Sequence, residues 1–214
     1  MLLSRPFFTI VFLLVFSSNI SANDELINKV QNRIDKVDGF SAEFFQVNYI
    51  AFQERKIEGM GKIDYLKPSM KWEYYTPDKQ LVILGKEKVW IYDPVLENVT
   101  VQDIKKVASA TSLSFLVGEG KLKKNFLVVT PQKDFLDSSK TQKKLFLRPR
   151  KKGQNFVELQ LGIEAKTFQI HQLVIVEQQG NYRKITFKDL NYSSKLTPKD
   201  FVFQIKDYME VIKE

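Results

Sequence analysis

The sequence contains no cysteine and a single histidine, His171. The first absence excludes a disulfide scaffold, thiolate metal sites, a cysteine nucleophile and a lipid-modified N-terminal cysteine. The second excludes a histidine-rich metal centre and weighs against a histidine-based triad. Glycine and proline are scarce, at 9 and 7 of 214 residues, so no flexible linker divides the chain and one domain is expected. There is no Gly-rich phosphate loop and no Gly-x-Ser-x-Gly elbow. Acidic residues stand singly among lysines, and no pair suggests a general acid and base. No metal, no cofactor and no enzymatic turnover are expected.

One apolar run stands out at the start. Phe7 to Phe16 is interrupted only by Thr9, preceded by the lone charge Arg5 and followed by a small, polar stretch ending at Ala22. This is the layout of a secretory signal peptide, too short for a comfortable membrane span. The expectation is a cleaved signal over residues 1–22 and a single domain over 23–214, working outside the cytoplasm.

What remains is basic and aromatic. Lys and Arg total 33 against 25 Asp and Glu, and there are 17 Phe, 8 Tyr and 2 Trp. The densest cationic stretch is Lys140, Lys143, Lys144, Arg148, Arg150, Lys151 and Lys152. It reads as a solvated hairpin, or as a docking surface for an acidic protein face or an anionic membrane; export argues against nucleic acid.

Apolar periodicity gives the organisation. Leu26, Ile27, Val30, Ile34 and Val37 recur at helical spacing, predicting a helix over Asp24–Val37. Alternation then predicts strands in Phe40–Gln53, Ile57–Leu66, Met70–Tyr75, Leu81–Leu84 and Val89–Tyr92. Residues 103–118 break that rhythm and predict a short helical insert carrying Leu113, Phe115 and Leu116. Strands resume at Phe126–Thr130, Leu145–Leu147, Phe156–Leu161, Phe168–Glu177 and Tyr182–Leu190, with a last alternation at Phe201, Phe203 and Ile205. The class is α+β: one antiparallel sheet that curls, either as a barrel or as a half-barrel, with amphipathic helices able to cover its concave face and leave an apolar cavity. Trp72, Trp90 and Phe115 are expected to share that cavity. Aromatic and branched walls suit acyl chains, and each CH₂ moved out of water contributes about 0.8 kcal/mol.

Gly59-Met60-Gly61-Lys62-Ile63, then Lys67-Pro68-Ser69-Met70-Lys71-Trp72-Glu73-Tyr74, Pro77 and Trp90-Ile91-Tyr92-Asp93-Pro94 resemble the signature of the outer-membrane lipoprotein carriers, the LolA family. Phe40-Ser41-Ala42-Glu43-Phe44-Phe45-Gln46, Ile170-His171-Gln172-Leu173, Val176-Glu177-Gln178 and Phe201-Val202-Phe203 fit as well. The resemblance implies an unclosed, strongly curved antiparallel β half-barrel, with the N-terminal helix and the short helical insert forming a lid over the apolar cavity. It also implies a monomeric periplasmic carrier that shuttles lipoproteins from an inner-membrane ABC transporter to an outer-membrane receptor, with acyl chains in the cavity. The implied cavity wall is Ile34, Phe44, Met70, Trp72, Tyr74, Leu84, Trp90, Tyr92, Leu113, Phe115 and Leu116. The family usually carries Arg before the Pro of its motif, bonded to lid backbone; here the position is Lys67, which lacks the planar fork. Lys67 is thus the expected lid-control residue. The tail from Gln204 lacks the family's Pro-Pro-x-Gly pattern. Alternative functions are a periplasmic lipid-binding sensor of related fold and an exported hydrolase.

Overall fold

The structure is a computed structural model that describes residues 22–104, 121–138 and 142–213. Helix α1 spans Ala22–Asp35, with Asp24 and Glu25 in its first turn and Arg33 in its last, which complements the helix dipole. Its apolar stripe buries Leu26, Ile27 and Val30. A one-turn helix, α2, follows at Leu122–Asn125. The described strands are β1 Gly39–Ile50, β2 Arg55–Leu66, β3 Ser69–Thr76, β4 Gln80–Leu84, β5 Lys88–Asp93 and β6 Asn98–Asp103 in the first half. The second half supplies β7 Phe126–Val128, β8 Gln142–Pro149, β9 Glu158–Glu164, β10 Ile170–Val176, β11 Tyr182–Asn191 and β12 Glu210–Lys213.

All twelve described strands belong to one sheet, in the order β12-β6-β5-β4-β3-β2-β1-β11-β10-β9-β8-β7. The sheet is not closed: β7 and β12 are its two edges. Every pairing is antiparallel except β12 with β6, which is parallel. The sheet is strongly bent. Trp72 on β3 and Phe187 on β11 are three strands apart, which in a flat sheet is about 14 Å. Their ring centroids lie 6.4 Å from each other.

The concave face carries the main core. Ala42, Phe44, Ile63, Tyr65, Met70 and Trp72 from the first half meet Leu145, Leu161, Leu173, Ile185 and Phe187 from the second. Helix α1 packs into this core and is tied to α2: Leu122 N–H donates to Gln31 Oε1 at 2.6 Å, and Lys121 and Lys123 pair with Asp35 and Asp24.

The convex face is covered by two straps. Residues 131–138 cross β8–β11, held by two fully buried glutamines. Gln160 accepts from Phe135 N–H at 2.9 Å and donates to the Lys133 carbonyl at 2.6 Å. Gln172 accepts from Asp137 N–H at 2.8 Å and donates to Thr186 Oγ1 at 3.0 Å. The C-terminal segment crosses the other half, burying Phe201 and packing the Phe203 ring against Tyr92 in a tilted contact at 5.1 Å, before β12 joins the edge.

The expected half-barrel is thus the observed architecture, with differences at its rim. The alternation at Phe201, Phe203 and Ile205 forms no strand; it is a short 3₁₀ turn at Pro198–Phe201 and an extended strap. Strands β6 and β12 lack an expected counterpart; both are short, β6 pairs with β5 on one side, and β12 joins it in parallel at the edge. The predicted signal peptide falls on residues outside the described range except for Ala22, and the expected insert falls outside it from residue 105 on, with Leu113, Phe115 and Leu116, while Asp103 ends β6.

Candidate functional site

A cavity of about 590 Å³ lies on the concave face where α1 does not reach. Its apolar wall is Ile57, Trp72, Tyr74, Val82, Leu84 and Ile91. Strand register explains this set. Trp72 pairs with Val82 and Val82 with Ile91, so the three side chains share one face across β3, β4 and β5. Met70, Leu84 and Val89 form the next row in the same way. Val82, Leu84 and Ile91 are only partly buried, so apolar surface remains in contact with solvent inside a concave site.

The mouth is polar. Gln46 donates to Asn48 at 3.3 Å, Arg183 Nε donates to Asn48 Oδ1 at 3.1 Å, and Tyr74 OH donates to Gln46 Oε1 at 3.4 Å. Burial pushes the Tyr74 phenol up, opposed by Arg183 and that hydrogen bond, so it stays protonated at neutral pH. Phe44 lies behind the wall, edge-on to Trp72 at 4.8 Å and to Tyr74 at 5.1 Å. Trp72 is 3% exposed, and its indole Nε1 has no hydrogen-bond partner. A buried donor without a partner is uncommon and costs stability unless something occupies it. The site therefore combines an apolar wall, one unpaired donor and a polar mouth.

The expected wall residues divide into groups. Trp72, Tyr74 and Leu84 line the cavity; Phe44 and Met70 support it from the core. Ile34 does not reach it. It lines a separate apolar pocket of about 70 Å³ at the other end of the sheet, with Val37, Phe40, Tyr65, Phe187 and Leu190. Trp90 and Tyr92 are corrected: Trp90 pairs with Ile83 and Tyr92 with Leu81, on the convex face. There they pack against the C-terminal strap, Tyr92 on Phe203 and Trp90 beside the carbonyl of Phe201. The shared Trp72–Trp90 cavity is thus absent, because the sheet itself separates the two rings.

Lys67 sits in the β2–β3 turn, exposed, with its backbone N–H donating to the Asp38 carbonyl at 2.8 Å. Its charge acts on Asp35, at the end of α1: hydrogen bonds from Lys121 and Gln31, together with these lysine charges, hold that carboxyl below its ordinary value. Lys67 thus acts at the C-terminal end of α1, and it is not among the residues that line the cavity.

Other polar groups are structural. Asp64 is 2% exposed on the convex face, receives Ser41 Oγ at 2.6 Å and pairs with Lys62 and Lys71 at 3.1 and 3.0 Å. Burial raises its pKa, but Ser41, Lys71 and Lys62 together bring it below the ordinary value. His171 has its pKa lowered by burial, opposed by Glu164 and Asp137. Among the described residues, no three acidic or histidine side chains stand where they could hold a metal ion.

The basic stretch also resolves. Lys144 pairs with Asp134 at 2.6 Å, and Arg150 Nε donates to the carbonyls of Lys123 and Phe126. Arg148, Lys151 and Lys152 instead line a second cleft on the convex side; Lys140 lies outside the described residues.

The fold is thus an open antiparallel sheet that cups an apolar-walled cavity. Residues 35–204 match the family described as Outer membrane lipoprotein carrier protein LolA, and the chain belongs to that family. A curated relative from Pseudomonas paraeruginosa, an outer-membrane lipoprotein carrier protein, is 25% identical over 194 residues, which is 88% of each chain. Another carrier of that name, from Hahella chejuensis, is 26% identical over 200 residues, covering 92% of this chain and 93% of the relative. Among solved structures, an uncharacterized conserved protein from Thermus thermophilus shares the fold with a TM-score of 0.54 at 10% identity, covering 91% of this chain and all of that one.

Proposed function

We propose that this protein is a periplasmic carrier for lipoproteins. It takes their acyl chains into the cavity of about 590 Å³ and shuttles them from an inner-membrane ABC transporter to an outer-membrane receptor. It acts as a monomer, without cofactor or turnover chemistry, after loss of residues 1–22. The observation that supports this reading is the partly solvated wall of Val82, Leu84 and Ile91 beside Trp72. Apolar surface held open in a concave site is a cost to the empty protein and a gain on loading, at about 25 cal/mol for each Å² removed from water. Relatives named as outer-membrane lipoprotein carriers, aligned over most of their length, support the choice of cargo.

The test is to purify the protein from periplasm without detergent and to analyse it by native mass spectrometry. Acyl-bearing species should travel with the wild type. Depleting the protein in its parent cell should cause lipoproteins to accumulate in the inner membrane. Normal sorting after depletion, with altered gene expression, would replace the carrier by a sensor.

A further inference from the structure

The turns at one end of the sheet carry a second device. Lys133, Arg148, Lys151 and Lys152 surround a cleft of about 690 Å³ on the convex side. Among the described residues, none of these four cations forms an ion pair; Lys133 lies over the Phe135 ring instead. The floor is apolar, with Phe135, Phe156, Val157 and Val176, and carries Glu158, whose carboxylate is engaged by Gln160 at 2.8 Å. Glu177 is the other acid on the rim.

Beside this cleft stands an exposed aromatic tip. Phe52, in the β1–β2 turn, is 84% exposed, the highest value among the large apolar side chains. That turn is pinned to the β10–β11 turn: Ala51 N–H donates to Asn181 Oδ1 at 2.9 Å, and Ala51 borders Gly180, which itself lines the cleft. Arg55 and Lys56 follow closely after Phe52 in the chain. The cavity mouth is at the same end, since Asn48 and Arg183 flank those two turns.

A single exposed phenylalanine is not unusual by itself; its position beside cations without ion-pair partners gives it meaning. Set among unpaired cations, it has the composition of an interfacial anchor: cations meet phosphate head groups while the ring enters the acyl boundary. We infer that this end docks on an anionic phospholipid bilayer, with Phe52 inserted and Lys133, Arg148, Lys151 and Lys152 at the head groups. Docking brings the cavity mouth to the surface where acyl chains leave or enter. That use in delivery rests on the carrier function proposed above; the membrane binding does not.

The experiment is co-sedimentation of the protein with vesicles of phosphatidylcholine alone and of phosphatidylcholine mixed with phosphatidylglycerol. Binding should require phosphatidylglycerol and fall as salt rises. The variant with Lys133, Arg148, Lys151 and Lys152 all changed to Gln should lose about fivefold in vesicle affinity per cation, equivalent to about 1 kcal/mol each. Phe52→Ser, at a fully solvated tip, should fold as the wild type and also bind vesicles more weakly. Uptake of a fluorescent fatty acid in the absence of vesicles should be unchanged in both variants, so loss of docking is read apart from loss of the cavity. Equal binding to both vesicle types, or wild-type binding by the quadruple variant, overturns the inference. So does full competition by inorganic phosphate, which makes the cleft a small-anion site, or binding only to an acidic protein.

Discussion

Gly61 and Phe44 stand opposite each other in the β1–β2 pairing, and the ring of Phe44 fills the space that a side chain at Gly61 would need. A methyl group there would lie 2.9 Å from Phe44 Cζ and would also overlap the backbone carbonyl of Glu73 on β3. Neither neighbour can yield: the carbonyl is in the ladder, and Phe44 is held between Trp72 and Tyr74. Gly61→Ala should therefore destabilise the fold by about 1–3 kcal/mol, as for an overpacked core. Chemical denaturation of the variant beside the wild type measures this; equal midpoints would show that the sheet can open there without cost.

Trp72 and Trp90 should respond differently to substitution. Trp72→Phe keeps an aromatic ring but removes the partnerless Nε1 donor together with part of the buried ring volume. Fatty-acid affinity should fall by at least about 0.5–1.5 kcal/mol, the value of a lost hydrogen bond, if that donor serves the ligand, and stability should fall moderately because the smaller ring leaves a void. Trp90→Ala should loosen the C-terminal strap and leave fatty-acid binding at the wild-type level. Loss of binding in Trp90→Ala, measured by fluorescence titration, would place that ring in the ligand path after all.

Asp64 links stability to acid. Its folded pKa lies below the ordinary 3.8, because Ser41, Lys71 and Lys62 outweigh the burial that raises it. A depressed folded pKa means that the carboxylate stabilises the fold at any pH above the unfolded value. That contribution is lost as pH falls from about 3.8 through the lower folded value. Asp64→Asn should cost about 1–3 kcal/mol at neutral pH, the range for a buried group losing charged hydrogen bonds. It should also flatten the acid limb of a stability profile below about pH 4. An unchanged acid limb would assign that limb to other carboxylates.

Lys67 should set how firmly α1 holds to the sheet. Its ammonium already acts on Asp35 at the helix end, and a guanidinium at the same position can fork onto that carboxylate. Lys67→Arg should lower bis-ANS binding to the empty protein, because a better-held helix exposes less of the concave face. Unchanged or increased dye binding would remove Lys67 from control of the cavity.

The sequence by itself determined the family and most of the secondary structure, though not β6, β12 or the strap at Phe201. Helical spacing from Leu26 to Val30 and the two-residue alternation of Met70, Trp72 and Tyr74 require an amphipathic helix and a half-buried strand, and both are observed. The motifs from Gly59 to Pro94 carried the family, which the match over residues 35–204 shows. Tertiary structure alone decided which face each strand presents. Trp72–Tyr74 and Trp90–Tyr92 have the same local pattern, yet one pair faces the cavity and the other the strap. The choice rests on the register of the β3–β4 and β4–β5 hairpins, where a shift of one residue exchanges the two faces of a strand. The same holds for Gln160 and Gln172, which read as ordinary polar alternation and become the buried bonds of a strap. Periodicity says that a strand has two faces; only the pairing across the whole sheet says which of them is inside.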